Sequence, residues 1–342
     1  MIAGNQRTEK EYRKIDVDSS SSLKVFAQDR KKYKKLFIDN ERVEDDEKTK
    51  SSITGDLVDC LLLTKEKFDE KFFLSSIFKT PSGNMELFVN SLLKYSDSPY
   101  ENFEEIAKKA YKDSGYKWTF EKVLEKFVGS DAELFFKESL EVRSKGLTVV
   151  ALEDIQNAER IVEDLKTNEI TKDIINLVNS DRYLVQNQVQ VERFEINGLP
   201  LKAQIDKIIV DHKEKRISPF DLKCTFSVEG FYWEYYLHRL AYIQAYVYKQ
   251  ACYKLKEQLG LDYYTVENLS FLVCDSIGYM NPLIYTLNQD DEDDCYNGFE
   301  YRGRRYKGVK EIVADLKYAK ENDVWRISRK NALNGGIVNI KG

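Results

Sequence analysis

The most restrictive feature of the sequence is a set of three short segments, within residues 186–224, in which apolar and polar side chains alternate. Alternation places the apolar side chains on one face, as in half-buried strands. An Asn197-Gly198 pair separates the first two segments, and the polar stretch 211–215 separates the second from the third. Because Asn-Gly favours a two-residue hairpin turn, the sequence predicts three consecutive antiparallel strands.

Apolar residues at helical spacing dominate on both sides of these strands. The spacing predicts helices at 23–37, 55–63, 85–95, 101–113, 119–127, 151–179, 232–257 and 290–319, and further strands at 268–275 and 281–287. Together they predict an α/β (α+β) fold with a central mixed sheet flanked by helices. With only five prolines and no Gly/Ser-rich linker, residues 1–342 are predicted to form a single domain. Within it, 20–180 is mainly helical and 185–320 is the α/β core.

Charge and cysteine content narrow the class of protein. The formal net charge is −5, so any contact with nucleic acid must come from local basic patches. The five cysteines form no CxxC pair and only two histidines occur, which disfavours a zinc site and suits a reducing cytosol. No apolar run approaches the roughly 20 residues that span a bilayer, and residues 1–14 contain no apolar signal core. We therefore expect a cytoplasmic protein without a membrane partner.

Three charged side chains stand out in the second and third predicted strands. Asp221 and Lys223 are two residues apart, so a strand places both on one face, and a hairpin brings Asp206 beside Asp221. Adjacent carboxylates repel each other unless a proton or cation neutralises them, and Mg²⁺ prefers such oxygen ligands. The pattern predicts a metal site, with the Leu222 carbonyl as a further ligand and Lys223 orienting a water or stabilising transition-state charge. The triplet alone leaves an ordinary surface salt bridge as the alternative.

The order of motifs around these residues resembles the PD-(D/E)xK nuclease superfamily and, within it, the exodeoxyribonuclease VIII (RecE-type) and phage-exonuclease branch. The matching segments are the opening helix at 20–26, the glycine-to-leucine segment at 55–63, Glu192, the core residues 204–206 and 221–225, and the helix at 242–248. The resemblance extends from about residue 12 to 330, with a poorly matched part from about 95 to 150.

This resemblance implies a fold with a restriction-endonuclease-like core and an activity on DNA. The implied activity is Mg²⁺- or Mn²⁺-dependent exonuclease hydrolysis of phosphodiester bonds at the ends of linear duplex DNA, in phage recombination or DNA processing. It also implies a homo-oligomeric ring, a single-strand annealing protein as partner and, if the protein is viral, a location in the host cytoplasm.

The resemblance also implies roles for individual residues. The implied metal ligands are Asp59, Glu192, Asp206, Asp221 and the Leu222 carbonyl. Asp59 takes the position at which the family usually has a histidine ligand, and aspartate also suits Mg²⁺ or Mn²⁺.

Two further catalytic candidates come from the helix at 242–248. Gln244 and Tyr248 are four residues apart, so they share one helical face, and the resemblance places both along the site. Gln204 departs from the family, which often has arginine there, and this removes one possible phosphate contact.

Two other interpretations stay open. One is another nuclease of the same superfamily, such as an endonuclease or a CRISPR-adaptation enzyme. The latter usually carries a cysteine-ligated iron–sulfur cluster, which the cysteine spacing disfavours. The other is a catalytically silent DNA-binding or scaffold protein, which the intact set Asp206, Asp221 and Lys223 disfavours.

Basic and aromatic clusters have two interpretations each. Phosphates could be held by Arg302, Arg304, Arg305 and Lys307, or by Arg326, Arg329 and Lys330. Clusters of this kind are more often solvated surface. A frayed base could stack on Tyr232, Trp233, Tyr235 or Tyr236. The same four residues suit an aromatic core.

Overall fold

The structure is a computed structural model that describes residues 7–41, 50–96 and 102–338. Numbered along the chain, the helices are α1 (Glu9–Arg13), α2 (Ser20–Gln28), α3 (Arg30–Tyr33), α4 (Lys50–Leu63), α5 (Phe68–Lys71), α6 (Asn84–Tyr95), α7 (Phe103–Asp113), α8 (Phe120–Phe127), α9 (Asp131–Arg143), α10 (Leu152–Thr167), α11 (Lys172–Ile175), α12 (Ala241–Gln258), α13 (Gln289–Asn297), α14 (Val309–Asn322) and α15 (Arg329–Leu333). The strands are β1 (Asp18–Ser19), β2 (Phe72–Leu74), β3 (Thr148–Val150), β4 (Tyr183–Ile196), β5 (Leu199–Asp211), β6 (Arg216–Thr225), β7 (Thr265–Val266), β8 (Ser270–Asp275), β9 (Leu283–Tyr285), β10 (Gly298–Tyr301) and β11 (Arg304–Lys307). The structure also contains the π-helices Lys34–Ile38 and Tyr232–His238 and the 3₁₀ turn Lys65–Lys67.

The chain divides into two compact units. The first contains residues 1–46, 165–275 and 280–342, and the second contains 47–164 and 276–279. The first unit holds a seven-stranded sheet, and the second holds α4 to α9 with the short parallel pair β2–β3. Each has apolar packing of its own, around Phe231 and Tyr242 in the first and around Phe88 and Phe127 in the second. Over the described ranges, no helix is both long and apolar enough to cross a membrane.

The three predicted strands are confirmed as the antiparallel meander β4–β5–β6. Asn197 and Gly198 have φ values of 52° and 71°, as the first hairpin turn requires. β6 then pairs in parallel with β8, and β8 pairs antiparallel with β9. The fold class is therefore confirmed as a mixed sheet flanked by helices, whereas the PD-(D/E)xK assignment stays a prediction.

One edge of β5 is shared between two partner strands. β1 pairs in parallel with Leu201 and Lys202, whereas β6 pairs with Lys207 to Asp211. Among the described pairings, positions 203–206 of β5 therefore have no strand partner on that edge. α2 begins directly after β1, so the same pairing that ends at Lys202 also fixes where this helix starts. The gap in the edge is where the candidate site lies.

α12 covers this part of the sheet and packs against β4, β5 and β6. Its small residues Ala241, Ala245 and Ala251 are all buried, which lets the helix backbone approach the strands closely. Burial of an aliphatic side chain stabilises a core by about 1.5–3 kcal/mol, and Ile243 and Val247 are fully buried here. The helix therefore carries its few buried polar residues into the core at fixed positions.

Two predicted helices are interrupted in the structure. The helix predicted at 23–37 breaks at Asp29, whose extended backbone lets its carboxylate cap α3 by accepting from the N–H groups of Lys31 and Lys32. The helix predicted at 232–257 is a π-helix followed by α12, because Leu240 adopts a left-handed backbone conformation with φ of 55°. Each break changes the direction of the chain.

Two further helix predictions differ from the structure in their bounds. The segment predicted at 151–179 is split into α10 and α11, and position 101 of the helix predicted at 101–113 lies outside the described residues.

The helix predicted at 290–319 is wrong, because a hairpin separates α13 from α14. β10 and β11 pair through residues 298–307, with a turn at Arg302-Gly303. The cause is close backbone packing between glycines. A Cβ atom on Gly308 would lie 2.2 Å from the carbonyl oxygen of Tyr296 and 2.3 Å from the nitrogen of Gly298. Only glycine fits this contact, which holds the base of the hairpin closed.

A buried carboxylate on α14 joins four elements. Asp315 is 4% exposed and accepts from Arg30 at 2.9 Å, Lys307 at 2.7 Å and Arg329 at 3.0 Å. We expect Asp315→Ala to lower the free energy of unfolding by about 3 kcal/mol, because it leaves the three cations without their shared partner. Equilibrium urea unfolding followed by circular dichroism measures the change, with the exposed Asp262→Ala as control. Equal unfolding midpoints for the two variants would contradict it.

Candidate active site

Two carboxylates occupy opposing positions where β5 and β6 separate. The last register pair between these strands is Lys207 with Phe220, so Asp206 and Asp221 are the next residues across from each other. Oδ2 of Asp206 accepts a hydrogen bond from the backbone N–H of Leu222 at 2.8 Å. This bond replaces strand pairing at the point of separation, and it fixes the Asp206 carboxylate beside the predicted D-x-K residues.

The Asp221 carboxylate is almost fully buried, with an exposure of 1%. Its Oδ2 accepts from the ammonium of Lys223, and its Oδ1 accepts from Nε2 of Gln244 at 2.6 Å. A buried charge costs several kcal/mol unless it is paired and hydrogen-bonded, on the order of the penalties known for buried ions. Both Asp221 oxygens accept hydrogen bonds, so the sheet and α12 together hold the carboxylate in one orientation.

The ammonium of Lys223 lies close to two oxygen atoms, one from Asp221 and one from the Leu222 carbonyl. Its Nζ bonds Asp221 and lies 3.5 Å from the carbonyl oxygen of Leu222. Both oxygens are therefore within reach of a single cationic group, with the Asp206 carboxylate bonded to the backbone of the same residue, Leu222. Two carboxylates and one carbonyl are hard oxygen donors, and this donor set fits Mg²⁺ or Mn²⁺.

The sequence analysis did not identify Lys24, which the structure brings to this site. Lys24 lies one turn into α2, and its Nζ donates to Oε1 of Gln244 at 2.8 Å. Burial and the positive charge of Lys223 lower the pKa of Lys24 to about 7, while the carboxylate of Asp221 partly opposes this shift. The available signal was a lysine directly after the buried Leu23, within the helix that resembles the family's opening helix.

Tyr248 lies one helical turn after Gln244 and is 8% exposed. Burial raises the pKa of Tyr248 well above its usual value, and the charges of Asp221 and Asp206 raise it further. The hydroxyl therefore remains a neutral donor close to both carboxylates. The structure thus brings together the five catalytic candidates, Asp206, Asp221, Lys223, Gln244 and Tyr248, and their catalytic roles stay predictions.

Polar side chains from β4 and β5 complete this side of the site. Gln188, which has a φ of 50°, directs Nε2 to Oδ1 of Asp206 at 3.5 Å. Gln204, at the position where the family often has arginine, donates from Nε2 to Oε1 of Gln188. The two amides therefore lie on the β4 side of Asp206, and the D-x-K strand lies on its other side.

Glu192 lies at an irregularity of β4. The register shifts between Val191 and Phe194, and Arg193 has a φ of 54°. Regular strand alternation does not continue through such a bulge. Its carboxylate forms an ion pair with Arg7 at 2.7 Å. Its role as a metal ligand stays a prediction.

Asp59 lies in α4, which belongs to the second compact unit, and it is half-buried there. Its role as a ligand in place of the family histidine stays a prediction. Over the ranges that the structure describes, no group of three or more His, Cys, Asp or Glu side chains is arranged to hold a metal ion.

The basic residues near the C-terminus separate into two kinds. Arg305, Lys307 and Arg329 form ion pairs with carboxylates of α14, so they hold the fold together. Arg302 and Arg304, by contrast, are exposed and lie over the aromatic rings of Tyr301 and Tyr306, respectively. Of these five residues, Arg302 and Arg304 suit the predicted contact with phosphates.

Comparison with known proteins finds similarity to solved structures. No protein-family model matches the chain, and no curated protein matches it. A crystal structure of a protein from Eubacterium rectale, named "Putative exonuclease", superposes with a TM-score of 0.44 at 15% sequence identity. The match covers 98% of this chain and 89% of that chain. Similarity at this level does not identify a function, so the function is inferred from the geometry of the site.

Proposed function

We propose that the protein is a Mg²⁺- or Mn²⁺-dependent DNA exonuclease of the PD-(D/E)xK type. The observation that carries the proposal is the meeting of Asp206, Asp221 and Lys223 where β5 and β6 separate. The Asp221 carboxylate is 1% exposed, and hydrogen bonds from Lys223 and Gln244 fix both of its oxygens in the orientation that a metal ligand needs. The order of motifs resembling the RecE-type branch supports the same function and gives DNA as the substrate.

Asp206, Asp221 and the Leu222 carbonyl would hold the cation. When bound, a divalent cation supplies Lewis-acid polarisation of the scissile phosphodiester and lowers the pKa of a water. Lys223 places a positive charge beside these ligands, where it stabilises negative charge that develops on phosphate oxygens. Gln244 fixes the orientation of Asp221 through its 2.6 Å bond.

Lys24 adds a hydrogen-bond donor on the α12 side of the site. Its Nζ holds Oε1 of Gln244, which leaves the Nε2 donor of that amide directed at Asp221. The neutral Tyr248 hydroxyl adds a donor that does not compete as an anion for the cation. The chain's own residues thus supply oxygen ligands on the strands and donors on the helices.

The proposed partners rest on the same resemblance to the RecE-type branch. We propose that the substrate is the end of linear duplex DNA, that the protein forms a homo-oligomeric ring and that a single-strand annealing protein uses the product. Sedimentation of the purified protein tests the ring directly, because a monomer of 40.0 kDa is easily distinguished from a ring.

Cleavage of linear and covalently closed circular duplex DNA tests the function. We expect the protein to degrade linear DNA with Mg²⁺ or Mn²⁺, to spare closed circles and to be inactive with EDTA. Asp221→Asn, which keeps the shape of the side chain, is the control for a contaminating nuclease. Cutting of closed circles would replace the exonuclease with an endonuclease, and no cleavage with either metal would refute the nuclease function.

A further inference from the structure

Five residues of the first unit form a continuous patch of aromatic and basic side chains. This aromatic–arginine surface consists of Tyr232, Trp233, His238, Tyr301 and Arg302. Tyr232 and Trp233 are each 41% exposed. The Trp233 ring lies 4.5 Å from His238 and 6.1 Å from Tyr301, and Tyr232 lies 5.6 Å from Tyr301. The rings therefore form one patch.

The guanidinium of Arg302 gives this patch a positive charge. Its guanidinium lies 5.8 Å from the Trp233 ring and 5.3 Å from the Tyr301 ring, in the turn between β10 and β11. Within the described part of the chain, no carboxylate pairs with Arg302. Arg305 differs, because it lies across from Glu300 on the other face of the hairpin and pairs with Glu311 at 2.7 Å.

The surface is attached to the strand of the candidate site. Tyr232, Trp233 and His238 belong to the π-helix that follows β6. Within that helix, the Tyr235 hydroxyl donates to the carbonyl oxygen of Cys224 at 3.2 Å, and Cys224 directly follows Lys223. A nucleic-acid strand on this surface would thus lie on an element that contacts the D-x-K strand.

We propose that the aromatic–arginine surface binds single-stranded DNA through stacking of bases on Trp233 and Tyr232 and contact of a phosphate with Arg302. Flat exposed rings next to an unpaired guanidinium match the chemistry of a base and its phosphate. Bases in a duplex are already stacked on each other, so their faces are not available to these rings. The identity of the strand rests on the proposed nuclease function, but the binding itself needs no cleavage.

The chain offers a matched control for Trp233. Its tryptophans are Trp118, Trp233 and Trp325, of which Trp325 is buried. Trp118 is 46% exposed and also carries a cation over its ring, Lys126 at 4.8 Å, but it belongs to the second unit. A substitution at Trp118 therefore removes a comparable exposed ring from a different place.

Binding of a labelled oligodeoxythymidylate in EDTA, measured by fluorescence anisotropy on the full chain, tests the proposal. We expect Trp233→Ala to weaken binding by about tenfold or more, which is the range for loss of one stacked base. Arg302→Ala should weaken it and reduce its salt dependence, whereas Trp118→Ala should bind as the unaltered protein does. The oligonucleotide should also quench tryptophan fluorescence in Trp118→Phe but not in Trp233→Phe.

Three results would overturn the proposal. They are equal affinity of Trp233→Ala and the unaltered protein, equal weakening by Trp118→Ala, and a change in self-association rather than in oligonucleotide binding. The last would identify the surface as a contact between protein copies. Circular dichroism spectra establish that each variant is folded. Because EDTA removes cleavage from the measurement, binding without nuclease activity would refute the proposed function and leave this surface in place.

Discussion

Replacement of Lys223 with methionine should lower the rate of DNA cleavage by about 10²–10³-fold, the usual cost of removing one preorganised group that stabilises transition-state charge. Methionine keeps the length of the side chain and removes the ammonium that bonds Asp221. The loss should fall on the turnover rate with saturating DNA, because the interaction is stronger in the transition state than with bound substrate.

Lys207→Met is the matched control for this variant. Lys207 is a buried lysine one residue after Asp206, but it bonds the carbonyl oxygen of Ile175 rather than either carboxylate of the site. Burial lowers the pKa of Lys207. Quenched-flow or gel-based cleavage rates should be near those of the unaltered protein for Lys207→Met. Comparable rates for Lys223→Met and Lys207→Met would show that Lys223 has no part in cleavage.

Local patterns predicted the sheet and the centre of the site. Alternation and an Asn-Gly turn depend on neighbours in sequence, and they determine the register of β5 against β6. That register alone places Asp206 across from Asp221, since Lys207 pairs with Phe220. Helical spacing likewise placed Gln244 and Tyr248 on one face of α12. These parts could be predicted because each depends only on residues within one hairpin turn or one helical period.

Contacts between distant segments could not be predicted in the same way. Lys24 reaches Gln244 because β1 pairs with Leu201 and Lys202, far along the chain, and no local pattern specifies that pairing. Close packing of Gly308 against Tyr296 likewise breaks the helix predicted at 290–319. A bulge after Val191 interrupts the regular alternation of β4 at Glu192. In each case the tertiary contact overrides the local preference.

The Leu222 backbone shows why the site lies at a strand separation. In a continuous ladder its N–H group would pair with the neighbouring strand, but here it donates to the Asp206 carboxylate. The β5 edge between Lys202 and Lys207 has no strand partner among the described pairings, so the Leu222 N–H is left to bond the Asp206 carboxylate. On the β4 side, the amide of Gln188 donates to Oδ1 of Asp206 and accepts from Gln204. Fold and site are linked at this one irregularity of β5.

Removal of either carboxylate should abolish the binding of divalent metal. We expect Mn²⁺ to stabilise the unaltered protein by about 2.7 kcal/mol at a concentration one hundred times its dissociation constant. Asp206→Ala and Asp221→Ala should lose this stabilisation, because each removes an oxygen ligand. Lys223→Met should keep it, since the variant removes a positive charge and no ligand. Isothermal titration calorimetry and thermal unfolding with and without Mn²⁺ measure the effect without any need for cleavage.

The same titration decides the role of Asp59. If this carboxylate replaces the family histidine, Asp59→Ala should weaken Mn²⁺ binding by about tenfold or more, at least the loss seen when groups that support a metal ligand are removed. Asp56→Ala is the matched control, because Asp56 lies one turn earlier in α4 and is also half-buried. Equal Mn²⁺ affinities for these two variants would exclude Asp59 as a ligand. If Asp206→Ala and Asp221→Ala also bound Mn²⁺ normally, the metal would have to lie elsewhere, and the proposed centre would be wrong.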